Sequence, residues 1–434
     1  MTSNQPTSRQ WWLPMACLTV AGVVLRSAWA ITRPSNYSGE AQSVARAFAD
    51  GRGLADPYFA GSGPSAHLMP TTPVLAGSLY QLLGVGTFAE VILQLLAFAE
   101  VFTAYALLAL CFHHLAVPRR VILATFGFLA LVPVFMGPET LDYRYWDGAL
   151  ASLLLALAVL ATVHPERPTR VVSVGIGLLA AVACFVSPPV GIAAIFMVAA
   201  RCAIDRDWRA AALVAASFIA FATAIFTPWM MRNERVLGSP ILLRSNLGLE
   251  LAIGYSAAAA RDDSKLAFDQ RLNEIHPTIS RAAQARYTAM GEVAYFDVLK
   301  VQTLAWIADH PADSIRLSFR HVRQMIAPMA WEFEIGSGFG SGVRSIIYSV
   351  LGIGGLLGAL GLAIWVDRRF LYPLIAVVTI VLCYFPFQPV ARYLYLNYAL
   401  LAYCTSAALW FALEHAKHRV RRLRPEPMAT TTPE

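Results

Sequence analysis

The sequence predicts an all-α polytopic membrane protein, with about ten transmembrane helices and helical outer loops. Three observations predict it. Of 434 residues, 57% are hydrophobic and only 14% charged, which leaves too little polar surface to coat a soluble globule. A hydrocarbon core of about 30 Å needs roughly 20 mostly apolar residues per helix, and runs of about that length recur along the chain. The arginines gather in alternate short connections between those runs.

Spans are expected near 11–31, 88–113, 120–137, 146–163, 171–187, 189–201, 209–229, 343–366, 370–386 and 394–414. In the first, Ala28-Trp29-Ala30 has the form of a signal-peptide cleavage site, but Arg26 interrupts the apolar run; cleavage would leave the loops where they are. The pair around Ser187-Pro188-Pro189 fixes the parity of the topology, because its second member of about 13 residues is about 20 Å as a helix, short of a full crossing.

Short cytoplasmic loops collect arginine and lysine, whereas long translocated loops are exempt. With ten spans, Arg119-Arg120, Arg167 to Arg170, Arg201 to Arg209, Arg368-Arg369 and the tail Lys417 to Arg424 share one side, the cytoplasmic one. Three regions then face out, 32–88, 139–147 and 230–342, as does the last outer loop at Gln388 to Tyr393. The expectation is a single polytopic membrane domain over 1–424, which includes first outer loop 32–88 and long outer loop 230–342, with a disordered Pro- and Thr-rich tail at 425–434. It would sit in the inner (cytoplasmic) membrane with its active face periplasmic or extracellular.

The net charge of +7 is almost all arginine, the only lysines being Lys265, Lys300 and Lys417. A GC-rich coding bias gives the same skew, so the arginines do not argue for nucleic acid, which is not an expected partner. Cys17, Cys111, Cys184, Cys202, Cys383 and Cys404 lie in or beside apolar runs without metal-site spacing and are read as small core residues. In the long outer loop, Tyr295 to Ile307 and Ala312 to Ile326 have helical spacing, broken at His310-Pro311. These helices are expected on or near the membrane surface, with Trp306, Trp331 and Tyr295 either interfacial or packed.

Candidate chemistry concentrates in the outer loops. Glu40 opens a helix-compatible stretch to Asp50, marked at its start by Ser38 and Gly39; it is a general base, a cation ligand or a helix-capping carboxylate. Gly51-Arg52-Gly53 ends that helix, and Gly61 to Pro64 turns tightly next to His67, a structural hydrogen-bonder or a site residue. Glu139, Asp142 and Asp147 place three acids close to a bilayer face, costly unless paired or turned to a polar cavity. Asp147 is preferred because it opens the next span, and Arg144 is a candidate partner for one of the three. Arg232 and Asn233, at the exit of the seventh span, suit a lipid phosphate or simple anchoring. Arg392, beside Tyr393, stands opposite the cytoplasmic side and against the charge trend. No Walker loop, dinucleotide fingerprint, zinc signature or nucleophile elbow is present.

The series Gly39-Glu40, Gly51-Arg52-Gly53, Gly63-Pro64-Ser65-Ala66 with Pro70 and Pro73, Pro228-Trp229 to Arg232-Asn233, Arg244 to Glu250, His276-Pro277, Gly291-Glu292 and Ala391-Arg392-Tyr393 resembles the GT-C class of membrane glycosyltransferases. The likeness is specifically to bacterial relatives of protein mannosyltransferases and lipid A aminoarabinose transferase, and spans Glu40 to Tyr393. It implies transfer of a sugar from a polyprenyl phosphate donor to an envelope acceptor (lipid, glycan or protein). On that likeness Glu40 is the base, with Asp147 a second catalytic candidate, and His67, Arg232, Asn233, Arg392 and Tyr393 bind substrate. The chain departs from the family pattern with Gly39 where Asp-Glu is usual, Gln388 where a histidine or acid is common, and Thr71-Thr72 in place of Pro-Leu-Tyr. Either Glu40 acts without the aspartate or activity is altered. A multi-span lipid or glycan transporter and a catalytically degenerate partner protein are the other readings. No cofactor motif appears; a divalent metal stays open, since Glu40 and Asp147 could flank a cation.

Overall fold

The computed structural model describes residues 9–32, 39–333 and 340–423. Ser38 and the tail at 425–434 lie outside the described residues. The chain is an all-α membrane protein, and among the described residues extended pairing is limited to one isolated bridge, Ala55 with Pro64.

After α1 (Arg9–Thr32) the first outer segment forms α2 (Glu40–Ala49) and α3 (Thr71–Leu83). Then come α4 (Thr87–His114), α5 (Arg119–Leu131), the short α6 (Met136–Thr140), α7 (Gly148–Val163), α8 (Arg170–Val186), α9 (Pro188–Asp205) and α10 (Trp208–Leu237). The long outer segment folds into α11 (Leu247–Gly254), α12 (Ala257–Arg261), α13 (Lys265–Ile275), α14 (Arg281–Met290), α15 (Glu292–Asp309) and α16 (Pro311–Ile326). Helices α17 (Ser341–Trp365), α18 (Leu371–Cys383) and α19 (Ala391–Leu423) close the chain.

Length and composition alone do not confirm ten full spans. Six described helices are long and apolar enough to cross a bilayer, and α5 with the stretch Met136–Arg144, bent by 72°, makes a seventh. Helices α7, α8 and α18 have 16, 17 and 13 residues, or about 24, 26 and 20 Å at 1.5 Å per residue. Proline sets some of these limits: Val132 before Pro133 and Ser187 before Pro188 are extended caps, as the residue before proline prefers. Conversely α9 runs 18 residues, longer than expected, because Pro188 and Pro189 occupy its first turn, where proline is tolerated. Helix α10 continues through Pro228 to Leu237, so Arg232 and Asn233 are helical, not loop residues. Helix α3 was not expected; Pro73 falls in its first turn and does not break it.

Glycines allow close helix approach. A Cβ at Gly177 would overlap Ser217 Oγ of α10, and one at Gly355 would lie 2.7 Å from the Leu401 carbonyl oxygen of α19. One charge pair is buried deep in the bundle: Arg26 Nη2 lies 2.8 Å from Glu139 Oε2, with both side chains at most 2% exposed. The remaining Arg26 donors reach the Ala130 and Leu129 carbonyls, and Tyr105 and Tyr395 donate to Glu139 Oε1.

The connections segregate. His114 and His164 rings are 5.0 Å apart, Arg369 donates to the Val163 carbonyl and Arg201 to the Glu166 carbonyl, which brings the short arginine-bearing loops together. The outer segments meet one another elsewhere, through Arg232 with the Leu54 and Ser65 carbonyls and Glu40 with His276.

Candidate active site

Glu40 is the first residue of α2, where a carboxylate meets the positive end of the helix. The helix ends at Asp50 because Gly51, at φ +79°, takes a left-handed conformation that side chains disfavour. Helix α2 is held by Gln42, whose Nε2 donates to Tyr145 OH at 2.9 Å, and Tyr145 in turn donates to Glu90. Arg144 is bound by the same Glu90 and not by Glu139, Asp142 or Asp147 as its neighbourhood in sequence suggested.

Two imidazoles meet the Glu40 carboxylate. His67 Nε2 lies 2.9 Å from Oε2 and His276 Nε2 3.3 Å from Oε1, with Thr278 Oγ1 3.4 Å from Oε1. Tyr58 OH is 2.9 Å from His67 Nδ1. Burial pushes Tyr58 well above the ordinary phenol range. Burial raises the Glu40 carboxyl, but the charge and hydrogen bond of His67 and the fields of His276 and Arg392 outweigh it and bring it down to about 2. His276 is lowered by its own burial, partly offset by Glu40.

The loop carrying His67 is anchored by Glu292. Its Oε1 accepts from Ala66 N–H at 2.8 Å and Ser245 Oγ at 2.6 Å, and its Oε2 from Tyr287 OH at 3.0 Å.

Two cavities adjoin. One, of about 320 Å³, is lined by Glu40, His67, His276, Thr278, Phe268 and Gln388 among others. The other, of about 380 Å³, has an apolar wall including Ile192, Leu243, Leu247, Phe387 and Leu396, and also holds Asp147 and Arg244. Trp146, Glu250, Arg392 and Tyr393 line both and form their common boundary. There Arg392 Cζ sits 4.0 Å from the centre of the Trp146 ring, and Tyr393 OH donates to Glu250 Oε1 at 3.4 Å. In the apolar cavity Arg244 Nη2 pairs with Asp147 Oδ2 at 3.3 Å.

Of the residues singled out in the sequence, the structure gathers Glu40, His67, Arg392 and Tyr393 around one cavity, and Asp147, Arg392 and Tyr393 around the other. Arg232 and Asn233 line neither. Arg232 donates to the Ser65 and Leu54 carbonyls at 2.8 and 2.7 Å, and Asn233, fully buried, donates to the Ile241 carbonyl at 2.9 Å. Both fasten loops to α10. His276, Tyr58, Trp146, Arg244 and Glu250 were not singled out as site residues. His276 carried a signal in its pairing with Pro277, and Arg244 and Glu250 in the series Arg244 to Glu250; Tyr58 and Trp146 had none beyond their place in an outer loop. Glu40 and Asp147 belong to different cavities, and among the described residues no set of three or more His, Cys, Asp or Glu side chains is arranged to hold a metal ion.

No protein-family model matches the chain, and no curated protein does. Solved structures do. The oligosaccharyltransferase AglB of Archaeoglobus fulgidus, in complex with an inhibitory peptide and a dolichol-phosphate, aligns over 97% of this chain and 53% of its own, at 13% identity and a TM-score of 0.51. An A. fulgidus oligosaccharyltransferase in complex with Zn and sulfate aligns over 94% of this chain and 50% of its own, at 13% identity and TM-score 0.53. This chain thus spans about half the length of each. ArnT from Cupriavidus metallidurans, bound to undecaprenyl phosphate, aligns over 97% of this chain and 82% of its own at 14% identity, but its TM-score of 0.37 is too low for a fold argument. At such identities the likeness speaks for the fold alone: over about half of their length, this chain shares the fold of the two A. fulgidus oligosaccharyltransferases.

Proposed function

We propose that the protein transfers a sugar from a polyprenyl phosphate donor to an envelope acceptor, at the outer face of the cytoplasmic membrane, within one membrane domain over 1–424. The observation that carries the reading is the shared boundary of Arg392, Trp146, Glu250 and Tyr393 between an apolar cavity and the Glu40 cavity. A lipid-linked phosphate needs apolar walls for its chain and cations for its head. The first cavity offers both, through Ile192, Leu243 and Leu247 with Arg244 and Arg392. The oligosaccharyltransferase of this fold that was solved with a dolichol-phosphate supports the same class of donor.

The chemistry follows from placement. The acceptor enters the Glu40 cavity and presents its hydroxyl to Oε1, whose two contacts are long, while the shorter bond from His67 keeps Oε2 oriented. Glu40 takes the acceptor proton as the acceptor oxygen attacks the anomeric carbon from the side opposite the phosphate. The bond from that carbon to the phosphate oxygen breaks, and Arg392 with Arg244 stabilises the departing charge. Inversion results. Asp147 orients Arg244; the depressed carboxyl keeps Glu40 ionised in the free protein, and bound lipid and acceptor would have to raise its basicity for it to take the proton. No step is routed through a metal.

A transporter would line its bilayer midplane with polar or broken helices. Arg26, the one arginine deep in the first span, is instead consumed by Glu139 and three carbonyls.

The test is transfer by purified protein in nanodiscs, with a panel of radiolabelled polyprenyl phosphate sugars and delipidated envelope extract. Wild type is expected to transfer or hydrolyse at least one donor, and Glu40→Gln to lose about 10²-fold or more with folding intact. Full activity in Glu40→Gln would remove Glu40 as the base.

A further inference from the structure

Behind the Glu40 cavity lies a cluster of basic side chains that the transfer mechanism does not use. Arg271 of α13 is 4% exposed, and its Nε and Nη1 have no hydrogen-bond partner among the described residues. Its guanidinium carbon is 5.6 Å from the ring of Phe268, one turn earlier and itself a wall of the Glu40 cavity. Facing it from α16 is Arg320, whose Nη2 is likewise buried and unpartnered and whose Nε reaches Asp263 Oδ1 only at 3.7 Å.

The local charge does not balance. Asp263 is shared among Arg320, Arg323 at 3.0 Å and Gln324 at 2.9 Å. Gln324 continues to Gln388, whose Nε2 donates to it at 3.1 Å and which also lines the Glu40 cavity. Burial pushes the nearby Glu332 carboxyl well above the ordinary range, which weakens it as a counter-charge. His321 donates Nδ1–H to the Phe385 carbonyl, and burial lowers its ring to about 4, so it adds no positive charge. Among the described residues Asp263 is the carboxylate in ion-pair contact with Arg320 and Arg323, and none is in contact with Arg271, although Asp262 and Glu274 lie near enough to offset part of its charge; a buried guanidinium without a partner is costly.

We propose that Arg271 and Arg320 form an oxyanion-binding subsite adjoining the Glu40 cavity, built for a phosphate or carboxylate group. Arginine forks match both anions by paired N–H donors. Resting on the glycosyl-transfer reading, the anion is a substituent of the acceptor, which makes the acceptor class anionic. A phospholipid headgroup presents the same chemistry and is the other source.

The experiment uses the full chain carrying Arg392→Gln, which weakens any phosphate site in the apolar cavity, in phosphatidylcholine nanodiscs. Inorganic phosphate is titrated at constant ionic strength and thermal unfolding is followed. The Tm is expected to rise with the logarithm of phosphate concentration while chloride has no such effect. Adding Arg271→Gln or Arg320→Gln is expected to weaken the apparent affinity about tenfold or more. In chloride, Arg271→Gln is expected to be at least as stable as its parent, since it removes an incompletely compensated buried charge. No response to phosphate, or a response unchanged in both variants, overturns the subsite. If Arg271→Gln does not fold, Arg320→Gln, with a side chain 15% exposed in the parent, carries the test. In phosphatidylglycerol nanodiscs an unchanged phosphate response supports the acceptor as source, and a response already saturated assigns the subsite to headgroups and overturns the anionic acceptor. A phosphate response that persists when no donor sugar is ever transferred keeps the subsite and sinks the transfer reading alone.

Discussion

The guanidinium of Arg392 lies 4.0 Å from the ring centre of Trp146, at the boundary of the two cavities. The contact holds a cation over the indole where, on the proposed reading, a donor phosphate would meet the acceptor. Lysine cannot reproduce it, because an ammonium has neither a planar face nor a fork of donors. Arg392→Lys is therefore expected to lower kcat/KM for transfer about 10²-fold, nearly as far as Arg392→Gln. Single-turnover rates with a labelled donor measure it, and near-wild-type turnover by the lysine variant would count against the phosphate role.

Glu40 sets a pH dependence of stability. Its carboxyl is at about 2 in the folded protein against an ordinary 4.5, so the unfolded chain binds its proton first as pH falls. The stabilisation is complete above about pH 5 and is lost as pH drops from there towards about 2. Unfolding midpoints of wild type and Glu40→Gln in detergent are expected to differ by a constant amount above that range and to converge below it. A gap that widens on acidification would contradict the ion-pair geometry with His67.

Arg26 and Glu139 form the most deeply buried charge pair described. Removing one partner leaves the other charged without compensation, and Arg26→Leu is expected to cost about 3–5 kcal/mol. Glu139→Leu added to Arg26→Leu is expected to recover part of that loss. Thermal unfolding in one detergent across the three variants decides it.

Gly248 lets α11 lie directly on α15, where an added Cβ would overlap the Phe296 carbonyl oxygen. Gly248→Ala is expected to destabilise by about 1–3 kcal/mol, the usual penalty of overpacking. Because Glu250 follows two residues later, transfer should fall more than the stability change explains. Equal transfer per folded molecule would show that Glu250 tolerates the shift.

Much of this was legible beforehand. Apolar run length and proline placement located α1, α4, α8 and α17, and the glycines after Asp50 marked the end of α2. The helices broken at His310-Pro311 appear as α15 and α16. Periodicity carries no record of pairing across the chain, however. Nothing near Arg144 in sequence names Glu90, 54 residues away, and nothing near Glu40 names His276, whose ring arrives from the far side of the long outer segment. Arg232 looked like a phosphate ligand from composition at a helix exit. Its partners are backbone carbonyls, which no residue identity advertises. Tyr295, which suited either an interfacial or a packed position, is packed: it is 2% exposed and donates to the Ile275 carbonyl.

Two cavities that share only a boundary also imply an order of events, or rather the lack of one. On the proposed assignment neither substrate has to pass through the other's chamber, and Glu40 would lie on the acceptor side, with no carboxylate nucleophile needed on the donor side. Initial rates measured against both substrates should give intersecting double-reciprocal lines, the signature of a ternary complex reached by either route. Product inhibition by the free polyprenyl phosphate should then be competitive with the donor alone.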